Sequence, residues 1–245
     1  MGTELGGGVP KSATFAHALG TLKQQGSNIL LVGSASEAHG ATCLRLLGET
    51  NDHDQSRYRL FVVTEQPCCS HEHGHGHGKT RADGDRPGDD PNEHENEDEH
   101  TTTRIITRSA DGPERTGELS PNESVVGTEL LSPLGSEIIE TVNEFDDVSG
   151  GLEPSELRVC VDSLVPLLTE HNSENVFRLL HVLTLRIRQA NGMGHFHLPI
   201  DADHDAVNLL EPLFDAVVEV RSRDGASEQR WHLRDQQTSS DWIQL

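Results

Sequence analysis

Residues 28–33, Asn-Ile-Leu-Leu-Val-Gly, restrict the fold more than any other segment. The run is continuously apolar and so has no polar face to turn toward water. It is also too short for a buried helix, and it ends on a glycine. A strand of this kind must be covered on both faces, which is the condition of a parallel sheet packed between helices. A second run, Tyr58-Arg59-Leu60-Phe61-Val62-Val63-Thr64, has the same character. Between them Ala41-Thr42-Cys43-Leu44-Arg45-Leu46-Leu47 reads as a helix. Strand, helix and strand make a βαβ unit, whose crossover is expected to be right-handed.

The pattern continues along the chain. Strands are predicted at residues 104–107, 124–127, 157–162, 193–199 and 213–220, and residues 229–233 read as an antiparallel edge strand. Residues 12–25 read as a helix capped by Ser12, with Phe15, Leu19 and Leu22 on one face and Gly26 as the stop. Pro133 opens a helix reaching Phe145, and residues 175–190 read as an amphipathic helix with Val176, Leu179, Leu180, Leu183 and Ile187 on one face. Alternating strands and helices point to an α/β fold with a mainly parallel sheet.

Residues 65–103 break this order. They are dense in His, Gly, Asp and Glu, and they hold too little apolar surface to offset the entropy of ordering. They are expected to be a long disordered His/acid-rich insertion. The chain then divides into a flexible N-terminus (1–11), a first part of the folded domain (12–64), the insertion (65–103), a second part (104–235) and a C-terminal tail (236–245).

Charge narrows the function classes. The 245-residue chain carries 41 Asp and Glu against 19 Lys and Arg, a formal charge of -22, and its only lysines are Lys11, Lys23 and Lys79. Such a surface repels polyphosphate backbones and argues against nucleic-acid binding. An acid-rich, lysine-poor surface also suits concentrated salt, where screening is short-ranged. No apolar run approaches the ~20 residues that span a bilayer, and no signal peptide is evident, so a cytoplasmic location with no membrane partner is expected.

The order of the runs carries a resemblance. Residues 29–33 resemble the strand that opens a phosphate-binding loop, and residues 59–64 the strand that follows it. Leu157-Arg158-Val159-Cys160-Val161-Asp162-Ser163-Leu164 resembles a Walker B strand. Residues 177–183 and 213–220 resemble the helix after it and a late strand. Together these resemble the RecA/KaiC-type ATPase core, and more narrowly a group of halophilic archaeal proteins related to it. The resemblance implies a three-layer RecA-like domain. It also places residues 193–199 next to the Walker B strand, and a protein partner or self-association follows from it.

The loop itself departs from that family. Where GxxxxGK[ST] is needed, the chain has Gly33-Ser34-Ala35-Ser36-Glu37-Ala38-His39-Gly40. Ala38 replaces the second glycine, His39 the lysine and Gly40 the hydroxyl residue, while Glu37 adds an anion. The lysine and metal-ligand chemistry of such loops is missing. Gly33, His39, Gly40, Ala41, Thr42 and Asp162 are therefore degenerate nucleotide-site positions. No catalytic residue, cofactor or ATPase activity is expected, and the implied role is a regulatory or protein-interaction module. Two alternatives stand beside it: weak anion binding by helix-N-terminal amides at Gly40 to Thr42 within an unconventional ATP-binding loop, or metal binding.

The metal alternative rests on Cys68, Cys69, His71, His73, His75 and His77, whose imidazoles and thiols suit zinc or nickel. Cys43 and Cys160 lie in apolar runs and read as small core residues. His195 and His197 share one strand face, where packing is the expected role, and Asp215 reads as a structural acid.

Overall fold

The computed structural model describes residues 11–48, 57–64, 102–110, 120–235 and 237–245. Most of the expected insertion, and with it Cys68, Cys69, His71, His73, His75 and His77, lies outside the described residues. Its last residue, Thr103, instead begins a strand.

Among the described residues, seven parallel strands form the body of one sheet. They are β1 (Ser27–Val32), β2 (Tyr58–Val63), β3 (Thr103–Ser109), β4 (Glu123–Gly127), β5 (Leu157–Val161), β6 (Met193–Leu198) and β7 (Ala216–Arg223). Their order across the sheet is β7-β1-β6-β5-β2-β3-β4. β8 (Ala226–Leu233) pairs antiparallel with β7, and β9 (Thr238–Ser239) and β10 (Ile243–Gln244) pair antiparallel with β8. Residues 229–233 are thus not an edge, and the expected tail closes over them with two short strands. β6 lies beside β5 in parallel, as the sequence implied.

The helices are α1 (Lys11–Gln25), α2 (Ser36–Leu47), α3 (Leu131–Ser149), α4 (Val165–Glu170), α5 (Ser173–Gln189) and α6 (Asp205–Leu210). Ser12 falls within α1 rather than capping it. Because side chains alternate along a strand, β1 feeds two cores. Leu30 and Val32 join residues of α3 and α5, while Ile29 and Leu31 join Ala18 of α1 and Ala38 of α2. β1, β5 and β6 are buried at every position, as central strands covered on both faces must be.

α5 illustrates how local chemistry fixes an element. Asn172 caps it by accepting from the Glu174 N–H at 2.8 Å. Glu174 stands in its first turn and Arg186 and Arg188 in its last, complementing the helix dipole. Arg186 reaches Asp146 of α3 at 3.1 Å, and Arg188 pairs with Asp215, whose other oxygen accepts the Asn28 N–H at 2.8 Å. Asp215 therefore ties the end of α5 to the start of β1.

Tertiary structure also buries one guanidinium. Arg108, at 1 % exposure on β3, donates to Glu170 at 2.5 Å and to the Thr128 carbonyl at 2.9 Å. That hydrogen bond holds the Glu170 carboxyl below its ordinary range, against the opposing effect of partial burial. A depressed carboxyl confers stability that is complete above its unfolded pKa, about 4.3, and is lost as pH falls through the folded value. Glu170→Gln should cost about 1 kcal/mol at neutral pH, less than the ~3–5 of a fully buried pair because Glu170 is partly solvated. Denaturant melts across the acid range should show the variant's stability falling less steeply than the parent's.

Candidate functional site

β1 runs out at Gly33, which has φ +115 and whose N–H donates to the Ile200 carbonyl at 2.8 Å. A Cβ there would sit 2.1 Å from the Val220 carbonyl oxygen, so glycine is needed for close backbone approach to β7. Only Ser34 and Ala35 then precede α2. Ala35 is its N-cap and offers no side-chain cap.

This early start corrects one expectation. The Gly40 to Thr42 amides are not at a helix N-terminus: the helix is already closed by His39 N–H donating to the Ala35 carbonyl at 3.1 Å. The first-turn amides at the helix N-terminus belong instead to residues 36–38, beside the exposed Glu37 carboxylate.

The remaining loop positions turn inward. Thr42 is buried and its hydroxyl donates to Gln229 Oε1 at 3.4 Å, across to β8. Gly40 and Ala41 are half-buried on α2. Asp162 is 5 % exposed, and its Oδ1 accepts from the Thr64 N–H at 2.9 Å and the Thr64 hydroxyl at 3.0 Å, joining the ends of β5 and β2. A cleft of about 580 Å³ opens beside the end of β1. Asp201, Asp203, Glu211 and Glu219 line it, and Arg230 is held by Glu219 at 2.5 Å.

His39 is fully buried. Its Nε2 lies 2.7 Å from the Gly33 carbonyl oxygen and its Nδ1 lies 3.1 Å from His197 Nδ1. A carbonyl only accepts, so His39 carries its proton on Nε2. In the neutral ring Nδ1 must then accept, and the donor is His197 Nδ1–H. This leaves His197 Nε2 as a bare lone pair, facing Cys160 Sγ at 3.8 Å.

Sequence reading missed what surrounds that lone pair. Cys43 stands one turn beyond His39 on the same face of α2. Cys160 of β5 is in register with His195 of β6, and His197 is two residues further along the same strand face. Cys43 Sγ is 3.6 Å from Cys160 Sγ and 3.1 Å from His195 Nε2. One ligand atom from each of Cys43, Cys160, His195 and His197 falls within 4.8 Å of every other, and all four residues are buried. Both thiols are reduced. A hydrogen bond from Cys43, helped by His195 and His197, holds the Cys160 thiol well below its ordinary range against the opposing effect of burial. The reading of Cys43 and Cys160 as core filler, and of the two histidines as packing, captured their burial and overlooked their convergence. The available signal was two thiols and two imidazoles, each inside an apolar run predicted to be a strand or helix of one sheet.

No helix among the described residues is long and apolar enough to cross a membrane. Among curated proteins no sequence matches. A family model described as "Family of unknown function (DUF7504)" matches residues 26–220, from the turn before β1 to the middle of β7, a span that includes Gly33 to Thr42, Asp162 and the Cys43, Cys160, His195 and His197 cluster; the chain belongs to that family.

Proposed function

We propose that this chain is a RecA-like domain that has lost nucleotide hydrolysis and acts through protein contacts, as a regulatory or interaction module. The observation that carries the reading is His39. It stands where a phosphate-binding loop has its lysine, and its ring is buried and hydrogen-bonded to Gly33 and His197. A group so placed has no reach toward a phosphate beyond the end of β1.

Other features support the same reading. One strand, β6, separates β1 from β5, and β7 flanks β1 on the other side, an arrangement in keeping with a RecA-type core. Helices cover both faces, as a three-layer domain requires. The cleft beside β1 is lined by four carboxylates against one guanidinium, a balance that repels a polyphosphate. Asp162 spends an oxygen on Thr64. On α5, Val182 and Leu185 are about half exposed, one turn apart, and offer apolar surface to a partner.

ATP with magnesium should leave the melting temperature unchanged and should not be turned over. His39→Lys should create no activity and should destabilise the fold by roughly 3 kcal/mol or more, because it buries an ammonium and breaks the ring contacts. Turnover that Asp162→Ala abolishes would refute the reading. For the interaction role, sedimentation at high salt should find the protein associated with a partner or with itself, and Val182→Asp with Leu185→Asp should weaken that association at least tenfold without altering the melting temperature. A sedimentation profile unaffected by both substitutions would remove α5 as the contact surface.

A further inference from the structure

We propose that Cys43, Cys160, His195 and His197 form a closed, four-coordinate site for a thiophilic divalent metal, zinc being the best fit. The inference shares the His39 hydrogen bonds with the nucleotide-site reading but does not depend on it, since the four ligands are other residues and no hydrolysis need be absent.

Three observations carry it. The first is shape. Tetrahedral zinc with bonds of ~2.3 Å to sulfur and ~2.0–2.1 Å to nitrogen separates its ligand atoms by about 3.3–3.8 Å. The spacings here are 3.6 Å between the sulfurs, 3.1 Å from Cys43 Sγ to His195 Nε2 and 3.8 Å from Cys160 Sγ to His197 Nε2. These three edges need shifts of only a few tenths of an ångström, and all six lie within 4.8 Å, so a modest contraction of the cluster around an ion completes the geometry.

The second is protonation. A metal needs a bare imidazole nitrogen, with the ring's other nitrogen donating elsewhere so that tautomer and orientation are fixed. The chain from the Gly33 carbonyl through His39 to His197 does this, leaving His197 Nε2 unprotonated and aimed at the thiols.

The third is charge. Two thiolates, two neutral imidazoles and one divalent cation sum to zero, so the assembled centre can be buried without an uncompensated charge. The donor set selects zinc or a similar thiophilic ion over magnesium or calcium, which take oxygen ligands. Four protein ligands, all buried, leave no open position for water, so the centre is structural and locks α2 onto β5 and β6.

Metal entry to so enclosed a site should accompany folding. The test is therefore refolding with cobalt(II) at high salt, using the full chain carrying Cys68→Ser and Cys69→Ser. Those changes leave Cys43 and Cys160 as the only thiols and leave every described residue intact. The expected result is one tightly held cobalt per chain with thiolate-to-metal charge-transfer absorption and the intense visible bands of a tetrahedral centre. Zinc should displace it, and a strong chelator should lower the melting temperature. Adding Cys43→Ala and Cys160→Ala should remove the charge-transfer absorption. His39→Gln, which keeps the four ligands and disturbs their support, should weaken zinc binding by roughly 10–100-fold while retaining the absorption. A folded Cys68→Ser, Cys69→Ser protein that takes up no cobalt would overturn the proposal. So would one that binds it only with the pale spectrum of histidine–water coordination, which would mark the His-rich tract as the sole metal binder.

Discussion

The hydrogen bond between His39 and the Gly33 carbonyl governs more of this molecule than any other contact. It spans one turn of chain, from the last residue before the first loop to the second turn of α2, and so sets how closely that helix lies over the end of β1. It also dictates which nitrogen of His39 is protonated, and through that ring, which nitrogen of His197. A backbone carbonyl thereby determines the protonation of an imidazole on a different strand. Remove the bond and His39 becomes a buried polar ring with a donor to satisfy, a situation that costs about 1–3 kcal/mol.

The same contact separates two regions that the strand order brings close. Outside, beyond the end of β1, the surface is acidic, and Arg230, the guanidinium lining the cleft, is taken up by Glu219. Inside, within one helical turn, lies a compact set of thiols and imidazoles, its two cysteines packed in one buried cluster with Leu47, Phe61 and Ile105. In a chain of such negative charge the interior is the place where softer, neutral-summing chemistry can be sheltered from the surface field. Buried polar groups of this kind are stable only when every member is satisfied. That requirement explains why the glycine carbonyl, two rings and two thiols are aligned in one connected series.

Much of the fold could be read from local pattern, and the exceptions have physical causes. β1, β5 and the centre of β2 are short, mainly apolar runs buried on both faces, where composition is diagnostic. β7 begins three residues later than expected because Leu213 belongs to a tight turn and Phe214 leaves the strand line to pack on Phe196. The start of α2 was invisible because Ala35 supplies no side-chain cap, the usual mark of a helix beginning. α4 has only six residues, too few for a periodicity. The pairing of residues 238–239 and 243–244 with β8 is decided by tertiary contact, not by the propensities of two-residue strands.

The buried cluster was hidden for a further reason. Its members come from α2, β5 and β6, and Cys43 and Cys160 lie 117 residues apart. No short spacing announces them, in contrast to the conspicuous tract at residues 68–77, which drew attention by composition alone. Their meeting follows from sheet order, which places β6 against β5 and lays α2 across both. The inward placement of His39 was equally unreadable: its alignment with a lysine position was plain, but the direction of its ring depends on α2 starting at Ser36.

Nitrogen-15 spectroscopy of the histidine rings tests the central relay most directly. Of the 15 histidines, two should show fixed, opposite tautomers at neutral pH: His39 protonated at Nε2 and His197 at Nδ1, identified by the loss of one and the perturbation of the other in His39→Gln. A His39 ring protonated at Nδ1 alone, or a His197 ring protonated at Nε2, would contradict the account.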